Sequence, residues 1–240
     1  AETTIPKGPE GDAIKLGKLL LTDTRKQLPK NVGNALNCTN CHLNAGTVAY
    51  AGPFVGLWGM FPEYRSRGAN INSLQDRIND CFQRSMNGKP LAYDSKEMNA
   101  MLMYMHWLST GVPTGTEVVG RGMGKGDTKL VPNAARGKTL YAQKCASCHD
   151  DKVDASRDPA VGYLFPPLWG KDSFNIGAGM ARTYTAAAFI KHNMPLGQGN
   201  TLSDQEAIDI AEYVTHQPRP AFAPAKHDWP KGDKPKDARN

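Results

Sequence analysis

The chain has 240 residues, of which 40% are hydrophobic and 22% are charged, a composition typical of a globular protein with one or two domains. No apolar run reaches the roughly 18 residues that a membrane helix requires, so no membrane insertion is expected. The net charge of +6 suits an anionic substrate or an acidic partner, and nucleic acid is not an expected partner because Lys and Arg are dispersed and accompany no recognisable binding motif.

The first half of the chain carries the motif Cys38-Thr-Asn-Cys41-His42. This pattern is typical of a c-type haem attachment site, in which two thiols bond to the porphyrin and the histidine that follows ligates the iron. The alternatives are a structural zinc site, which needs further ligands at its usual spacings, and a redox-active CxxC pair. We predict that Cys38 and Cys41 hold one haem covalently and that His42 is an axial ligand of its iron.

A helix is predicted to begin after Ser73, because Ser73 and Asp76 form a capping pair of the S-x-x-D type. Four apolar residues recur at every fourth position and predict its buried stripe: Leu74, Ile78, Phe82 and Met86. Cys81 lies seven residues after Leu74 and is therefore expected on the same inward face.

Of the five cysteines of the chain, Cys81 alone belongs to no CxxCH motif. Residues three or four positions away are its neighbours on a helix surface, and the polar ones are Arg77, Arg84 and Ser85. Guanidinium groups favour a thiolate over a thiol. With Arg67 and Lys89, these arginines are predicted to gather around a sulfur oxyanion, because the planar fork of arginine suits anions with several oxygens.

The residues alone leave two candidates for the ligand opposite His42, namely Cys81 and Met86. A thiolate beside a haem iron coordinates it, whereas Met86 lies in a loop, MNGKPL, that resembles the methionine loop of the second half. A simpler interpretation is that Asp80 neutralises the two neighbouring arginines and that Cys81 is a small core residue.

The second half of the chain repeats the organisation of the first. It carries Cys145-Ala-Ser-Cys148-His149, preceded by AARGKTLYAQK in the way that AIKLGKLLLTDT precedes the first motif. We predict that Cys145 and Cys148 hold a second haem and that His149 ligates its iron. Four aromatic residues that follow the two motifs are expected to pack on the porphyrins: Phe54, Trp58, Phe165 and Trp169.

The second iron is predicted to take Met194 as its other ligand. A methionine beside a proline in a loop is typical of a His/Met haem, whose reduction potential is raised by this ligation. Lys191 and His192 are the neighbouring rivals, and a bis-histidine haem would have a lower potential.

Six glycines fall within residues 111–126, which is typical of a linker. From Gln217 onward the chain holds five prolines and no periodicity, which predicts an extended strap. The first residues, AETTIPKGPEG, are typical of a mature terminus left by a signal peptidase, which predicts a periplasmic protein. We therefore predict an all-α fold of two tandem cytochrome-c-like domains, residues 1–110 and 133–240, joined by a Gly-rich linker over residues 111–132.

Seven segments, taken in order, resemble the dihaem c-type thiosulfate dehydrogenase family: VGNALNCTNCH, GPFVGLWGMFPEY, RINDCFQRSMNGKPL, YLFPPLWG, SFNIGAGM, AAAFIKHNMPLG and LSDQEA. The resemblance covers most of the chain, from about Leu16 to Pro220. It implies an oxidoreductase that joins two thiosulfates into tetrathionate, reversibly, and passes two electrons to an external acceptor. A small soluble cytochrome c or a high-potential iron–sulfur protein would suit as acceptor.

The resemblance also implies the roles of residues near the first haem. Cys81 is then its distal ligand, opposite His42, and Arg67, Arg77 and Ser85 line the substrate pocket.

The resemblance further implies that the second haem passes electrons outward. Some family members place a lysine immediately before the methionine ligand, and the two side chains exchange on the iron. This chain has Asn193 at that position, which favours constant His149/Met194 ligation.

Three other functions are compatible with two haem motifs. A dihaem electron shuttle would need no substrate of its own and no thiolate ligand. A sulfur-pathway cytochrome would attach its substrate to a carrier protein. A dihaem peroxidase would need acid–base residues beside a five-coordinate haem, and His106 is expected to pack in its apolar helix instead.

Overall fold

The computed structural model describes residues 4–150, 157–158 and 162–239, which include every predicted site residue. Its α-helices are α1 (Pro9–Thr22), α2 (Thr24–Gln27), α3 (Leu43–Gly46), α4 (Leu74–Arg84), α5 (Lys96–Leu108), α6 (Ala134–Lys144), α7 (Ala146–His149), α8 (Thr183–Asn193) and α9 (Asp204–Thr215). The prediction of an all-α fold is confirmed, with two small antiparallel hairpins in addition: β1 (Glu63–Arg65) with β2 (Asn70–Asn72), and β3 (Arg157–Asp158) with β4 (Gly162–Tyr163). None of the described helices has both the length and the apolar character that crossing a bilayer demands.

The sequence repeat corresponds to a repeated helix crossing. In the first half, α1 packs against α5 at Gly17, where an added Cβ would lie 2.0 Å from the Ala100 carbonyl oxygen. In the second half, α6 packs against α9 at Gly137, where an added Cβ would lie 1.8 Å from the Asp209 carbonyl oxygen. Each crossing therefore requires a residue without a side chain, because the two backbones approach so closely.

Helix α4 forms where the capping pair and the apolar stripe predict it. The Ser73 side chain accepts from the Asp76 backbone, and the Asp76 carboxylate accepts from the Ser73 N–H in return. All four residues of the predicted stripe are buried: Leu74, Ile78, Phe82 and Met86. This packing fixes the rotation of α4 and so directs the remaining side chains of the helix.

The linker and the tail both lie against the two halves of the molecule. Tyr50 donates its N–H to Gly120 of the linker (2.7 Å), and Gly124 approaches His192 of the second half. We call residues 217–239 the C-terminal strap. It pairs with the second half through the Gly170 N–H and Pro218 carbonyl (2.7 Å), and it is extended except for a short 3-10 turn at Ala223–His227.

Candidate haem and substrate site

His42 is oriented by the loop that follows the first CxxCH motif. Its Nδ1 donates to the Gly52 carbonyl oxygen at 2.5 Å, and its ring stacks on Phe54 with the centroids 4.5 Å apart. Because a carbonyl oxygen only accepts, the proton lies on Nδ1 and the lone pair of Nε2 remains for a metal. Burial lowers the pKa of His42 to about 4, and the Arg77 charge adds to that effect, so the imidazole is neutral, as ligation requires.

His149 repeats this arrangement in the second half. Its Nδ1 donates to the Pro166 carbonyl oxygen at 3.1 Å, and Phe165 meets its ring edge-on with the centroids 6.0 Å apart. Burial lowers the pKa of this histidine as well. Both histidines therefore present a neutral, oriented Nε2, and the donor chemistry of each motif fits a c-type haem.

The cysteines of the motifs are poorly suited to dithiol redox chemistry. Burial raises the pKa of Cys38 and of Cys41 to about 12, and it raises the pKa of Cys145 to about 11. Redox-active CxxC pairs depend on a thiol whose pKa is lowered. These values disfavour the redox-pair alternative and agree with thiols that become thioethers.

Cys81 lies beside the first motif, and its sulfur accepts a hydrogen bond from an arginine. Arg77 Nη1 donates to Cys81 Sγ at 2.9 Å, and the electrostatic effect of Cys81 raises the pKa of Arg77. A charge on Cys81 also contributes, after burial, to the raised pKa of Cys38 and Cys41, so Cys81 interacts electrostatically with both thiols of the motif. The fold thus brings Cys81 and Arg77 to the haem-binding segment from a helix about 40 residues further along the chain.

The simpler interpretation, in which Asp80 neutralises the two neighbouring arginines, is partly correct. Asp80 receives Arg84 Nε at 2.5 Å and lies 3.8 Å from Arg77 Nη1, so it pairs with both arginines. Cys81, however, is half-buried and hydrogen-bonded, whereas Met86 is only 3% exposed within the apolar core of the first half. Of the two candidate ligands, Cys81 is the one that stands in a polar setting.

The other predicted pocket residues are held in different ways. Arg67 lies in the loop between β1 and β2, and its Nη1 donates to the Gly177 carbonyl oxygen of the second half at 2.8 Å. Ser85 caps the end of α4 and is half-buried. Lys89 is exposed. Among the described contacts, Arg77 is therefore the one member of the predicted group of cations that reaches Cys81.

In the second half, the two rivals of Met194 are engaged elsewhere. Lys191 Nζ donates to the Leu202 carbonyl oxygen. The His192 ring stacks on Tyr50 of the first half, with centroids 4.0 Å apart and an interplanar angle of 16°. Asn193 is buried and donates to the Tyr50 carbonyl oxygen at 3.1 Å. Met194, the half-buried residue after α8, is left as the candidate with the suitable side chain.

The structure contradicts the expectation for His106 and shows where Trp169 packs. His106 is exposed on α5 and meets the ring of Trp58 edge-on at 4.9 Å, so the expectation that it packs in the apolar face of its helix is wrong. Trp169 lies in the core of the second half beside Tyr141, with the ring centroids 5.3 Å apart.

Sequence reasoning missed two residues of the strap that contact the arginines. Asp228 pairs with Arg84, which precedes it by 144 residues, and Trp229 packs on Arg67. A proline-rich tail without periodicity contains no signal for such contacts.

Two family descriptions match the chain, one in each half. Residues 29–114 match the SoxA/TsdA cytochrome c domain, and residues 132–214 match subunit III of cbb3-type cytochrome c oxidase. The prediction of two cytochrome-c-like domains is therefore confirmed, and the chain holds two c-type haems. The boundaries given for the domains and the linker remain a prediction.

Characterised relatives and one solved structure resemble nearly the whole chain. Proteins named thiosulfate dehydrogenase from Psychrobacter arcticus and Allochromatium vinosum are 51% and 47% identical, over 99% and 92% of this chain and 73% and 84% of their own. The structure of the thiosulfate dehydrogenase TsdBA from Marichromatium purpuratum matches with a TM-score of 0.82 and 37% identity. That match covers 90% of this chain and 48% of the other, so this chain spans about half of that protein's length.

Proposed function

Because the chain belongs to the thiosulfate dehydrogenase family, we propose that it joins two thiosulfates into tetrathionate and that Cys81 carries the reaction. The observation that supports this most directly is the hydrogen bond of 2.9 Å from Arg77 to Cys81 beside the first haem-binding segment. This contact combines a sulfur nucleophile with a fixed cation that matches an anionic substrate.

The proposal assigns the axial ligands as follows. His42 and Cys81 would hold the first iron, and His149 and Met194 would hold the second. The polar setting of Cys81 and the apolar burial of Met86 support the first assignment. The stacking of His192 on Tyr50 supports the second, since that ring is already engaged.

In the proposed reaction, Cys81 alternates between holding the iron and bonding the substrate. Once free of the iron that it would hold, the Cys81 thiolate would bond to the outer sulfur of one thiosulfate, which releases two electrons and forms an S-thiosulfonate on the cysteine. The outer sulfur of a second thiosulfate then attacks that sulfur, the bond to Cys81 breaks, and tetrathionate departs with the thiolate restored. The two haems that the CxxCH motifs would hold could each supply a one-electron acceptor for the two electrons that are released.

The charges of this chain match the charges in that reaction. Arg77 would hold the sulfonate oxygens of the first thiosulfate while Cys81 bonds its sulfur, and Arg67 and Ser85 would complete the pocket. Two dianions must approach each other, so guanidinium groups at the site lower the repulsion between them. The same arrangement can run in reverse, as a tetrathionate reductase, when the electron supply favours reduction.

The proposed partner is a soluble electron acceptor, a small cytochrome c or a high-potential iron–sulfur protein, in the periplasm. The net charge of +6 supports an acidic acceptor, because long-range attraction speeds the encounter of oppositely charged proteins. Faster electron transfer at low ionic strength is the expected kinetic signature.

The proposal is tested by mixing the fully oxidised protein with thiosulfate under anaerobic conditions. Reduction of haem and formation of tetrathionate, at one tetrathionate for every two electrons, are the expected results. A protein that serves only as an electron shuttle would accept electrons from another reduced cytochrome but would form no tetrathionate, and that outcome would refute the proposal.

A further inference from the structure

The C-terminal strap places a buried carboxylate between two elements of the first half. Asp228 has a side chain that is only 7% exposed, and it receives Arg84 through two bonds, 2.7 Å from Nη1 and 2.8 Å from Nη2. The same carboxylate lies 4.0 Å from Arg67 Nε. Arg84 lies on α4, three residues after Cys81, whereas Arg67 lies in the loop between β1 and β2. Asp228 therefore joins the helix of the nucleophile to the loop of a second arginine.

Trp229 reinforces this junction from the next position of the strap. Its backbone N–H donates to the Arg67 carbonyl oxygen at 2.7 Å, and the Arg67 guanidinium lies over its indole ring, 5.1 Å from the centroid. Gly177 adds a second shared acceptor, because its carbonyl oxygen receives Arg67 at 2.8 Å and Arg84 at 3.2 Å. Two like charges are thus held close together by acceptors that they share.

The positive charges of Arg67 and Arg84 repel each other, so the two side chains need neighbouring carboxylates to stay together. Burial, together with the smaller effect of the neighbouring charge of Arg84, lowers the pKa of Arg67 to about 10, although Asp80 and Asp228 act in the opposite direction. The partly buried cluster contains three guanidiniums and two carboxylates, which leaves one positive charge before Cys81 is counted: Arg67, Arg77, Arg84, Asp80 and Asp228. Such a cluster attracts an anion. It also needs a carboxylate held in place, so that its guanidiniums keep a defined arrangement.

We propose that Asp228 is a positioning residue of the substrate pocket, which fixes Arg67 at a set distance from Cys81 by holding it against Arg84. This inference rests on the proposed function, in which Arg67 contacts the sulfur oxyanion. The strap is then part of the active site, although it contributes no group that touches the substrate. Preorganised cations bind an anion more tightly because they need not be ordered during binding.

The direction in which KM changes in an Asp228→Asn variant distinguishes a loss of positioning from a simple change of charge. Removing a carboxylate beside a cationic site strengthens attraction for a dianion, so a pure charge effect lowers KM. Loss of positioning raises KM. We expect KM for thiosulfate to rise about tenfold in D228N and kcat to change less than about twofold. The dissociation constant of tetrathionate from the fully oxidised protein, measured by calorimetry without turnover, is expected to rise by a similar factor.

Two further variants complete the test. Asp228→Glu keeps the charge but displaces the carboxylate, and an intermediate rise in KM of about threefold is expected. Asp237→Asn is the matched control, because Asp237 holds the same strap through Arg182 and the Tyr184 N–H; its KM is expected to equal that of the wild type. An unchanged or lowered KM in both Asp228 variants, or an equal rise in D237N, would overturn the inference.

An Arg67→Ala variant distinguishes failure of this inference from failure of the proposed function. If R67A raises KM and D228N does not, Arg67 binds substrate without help from the strap, and only the inference fails. If R67A leaves KM unchanged, Arg67 lies outside the pocket, and both the proposed place of Arg67 and the inference fail. The electron paramagnetic resonance spectrum of the first haem should be the same in all these variants, which verifies that the cysteine site is intact.

Discussion

Arg77 and Cys81 are joined by a hydrogen bond of 2.9 Å across one turn of α4, and Asp80 pairs with Arg77 from the same helix at 3.8 Å. The helix therefore presents a cysteine sulfur and a guanidinium as hydrogen-bonded neighbours, one turn apart. Asp80 leaves Arg77 available, because the shorter contact of the Asp80 carboxylate, 2.5 Å, is with Arg84. A substrate anion that replaces the Cys81 sulfur beside Arg77 would meet a guanidinium that is already held in position.

Replacing Cys81 with alanine is expected to abolish turnover while both haems remain bound. In the proposal the two haems are attached through Cys38, Cys41, Cys145 and Cys148, so removal of the Cys81 thiol leaves attachment unaffected. Loss of a covalent nucleophile is expected to reduce kcat by about a thousandfold or more. Steady-state assays, with haem content from absorbance as the control, measure this. Turnover near the wild-type rate would show that the cysteine is not the nucleophile.

Replacing Arg77 with alanine is expected to raise KM for thiosulfate by about tenfold to a hundredfold, because a charge-assisted hydrogen bond to an oxyanion is lost. Arg77→Lys keeps the charge but lacks the planar fork, so it should recover only part of the affinity. The comparison of KM and kcat among the three proteins is the measurement. Equal values in all three would exclude Arg77 from the pocket.

Replacing Met194 with alanine is expected to lower the reduction potential of the second haem, because thioether ligation favours the reduced iron. His192→Ala is the matched control: its ring already stacks on Tyr50, so its loss should leave the iron ligands unchanged. A redox titration followed by visible absorbance resolves the two haems. A methionine-type spectrum that persists in M194A and vanishes in H192A would contradict the assignment.

Alanine at Gly17 or Gly137 is expected to destabilise the fold by about 2 kcal/mol, because the methyl group would meet a backbone carbonyl oxygen at a helix crossing. Gly179→Ala is the control, since an added Cβ there contacts nothing within 4 Å. Denaturant unfolding monitored by circular dichroism gives the free energies. Equal stability of all three variants would show that the crossings can separate without loss.

Stability in acid is expected to depend on Asp209. Burial alone would raise the pKa of this carboxyl, but hydrogen bonds from Arg136, Gln205 and the Asn133 N–H outweigh burial and lower it. A carboxyl with a lowered pKa stabilises the fold above its ordinary pKa, and this contribution disappears as the pH falls through the folded value. Thermal unfolding from pH 7 to pH 3 should therefore show a smaller loss of stability in D209N than in the wild type. An identical slope would contradict this.

The local features of the chain were predictable from the sequence, and most of them concern residues within one turn of each other. The CxxCH spacing defines the haem segments because the two thiols and the histidine must meet one porphyrin. The start of α4, its buried stripe and the approach of Arg77 to Cys81 all follow from helical periodicity. The expectation for His106 failed, because an apolar helix sequence does not reveal which face lies against solvent.

Contacts between distant segments were decided by the tertiary structure alone. The stack of His192 on Tyr50 and the pairing of Asp228 with Arg84 join residues more than 140 positions apart. Neither partner carries a local pattern that marks the other, because a side chain's partner across an interface depends on how the two helical cores are oriented and on where the strap crosses them. The sequence by itself therefore determined which groups are proposed to carry the chemistry, whereas the packing of the two halves decided which charges hold those groups in place.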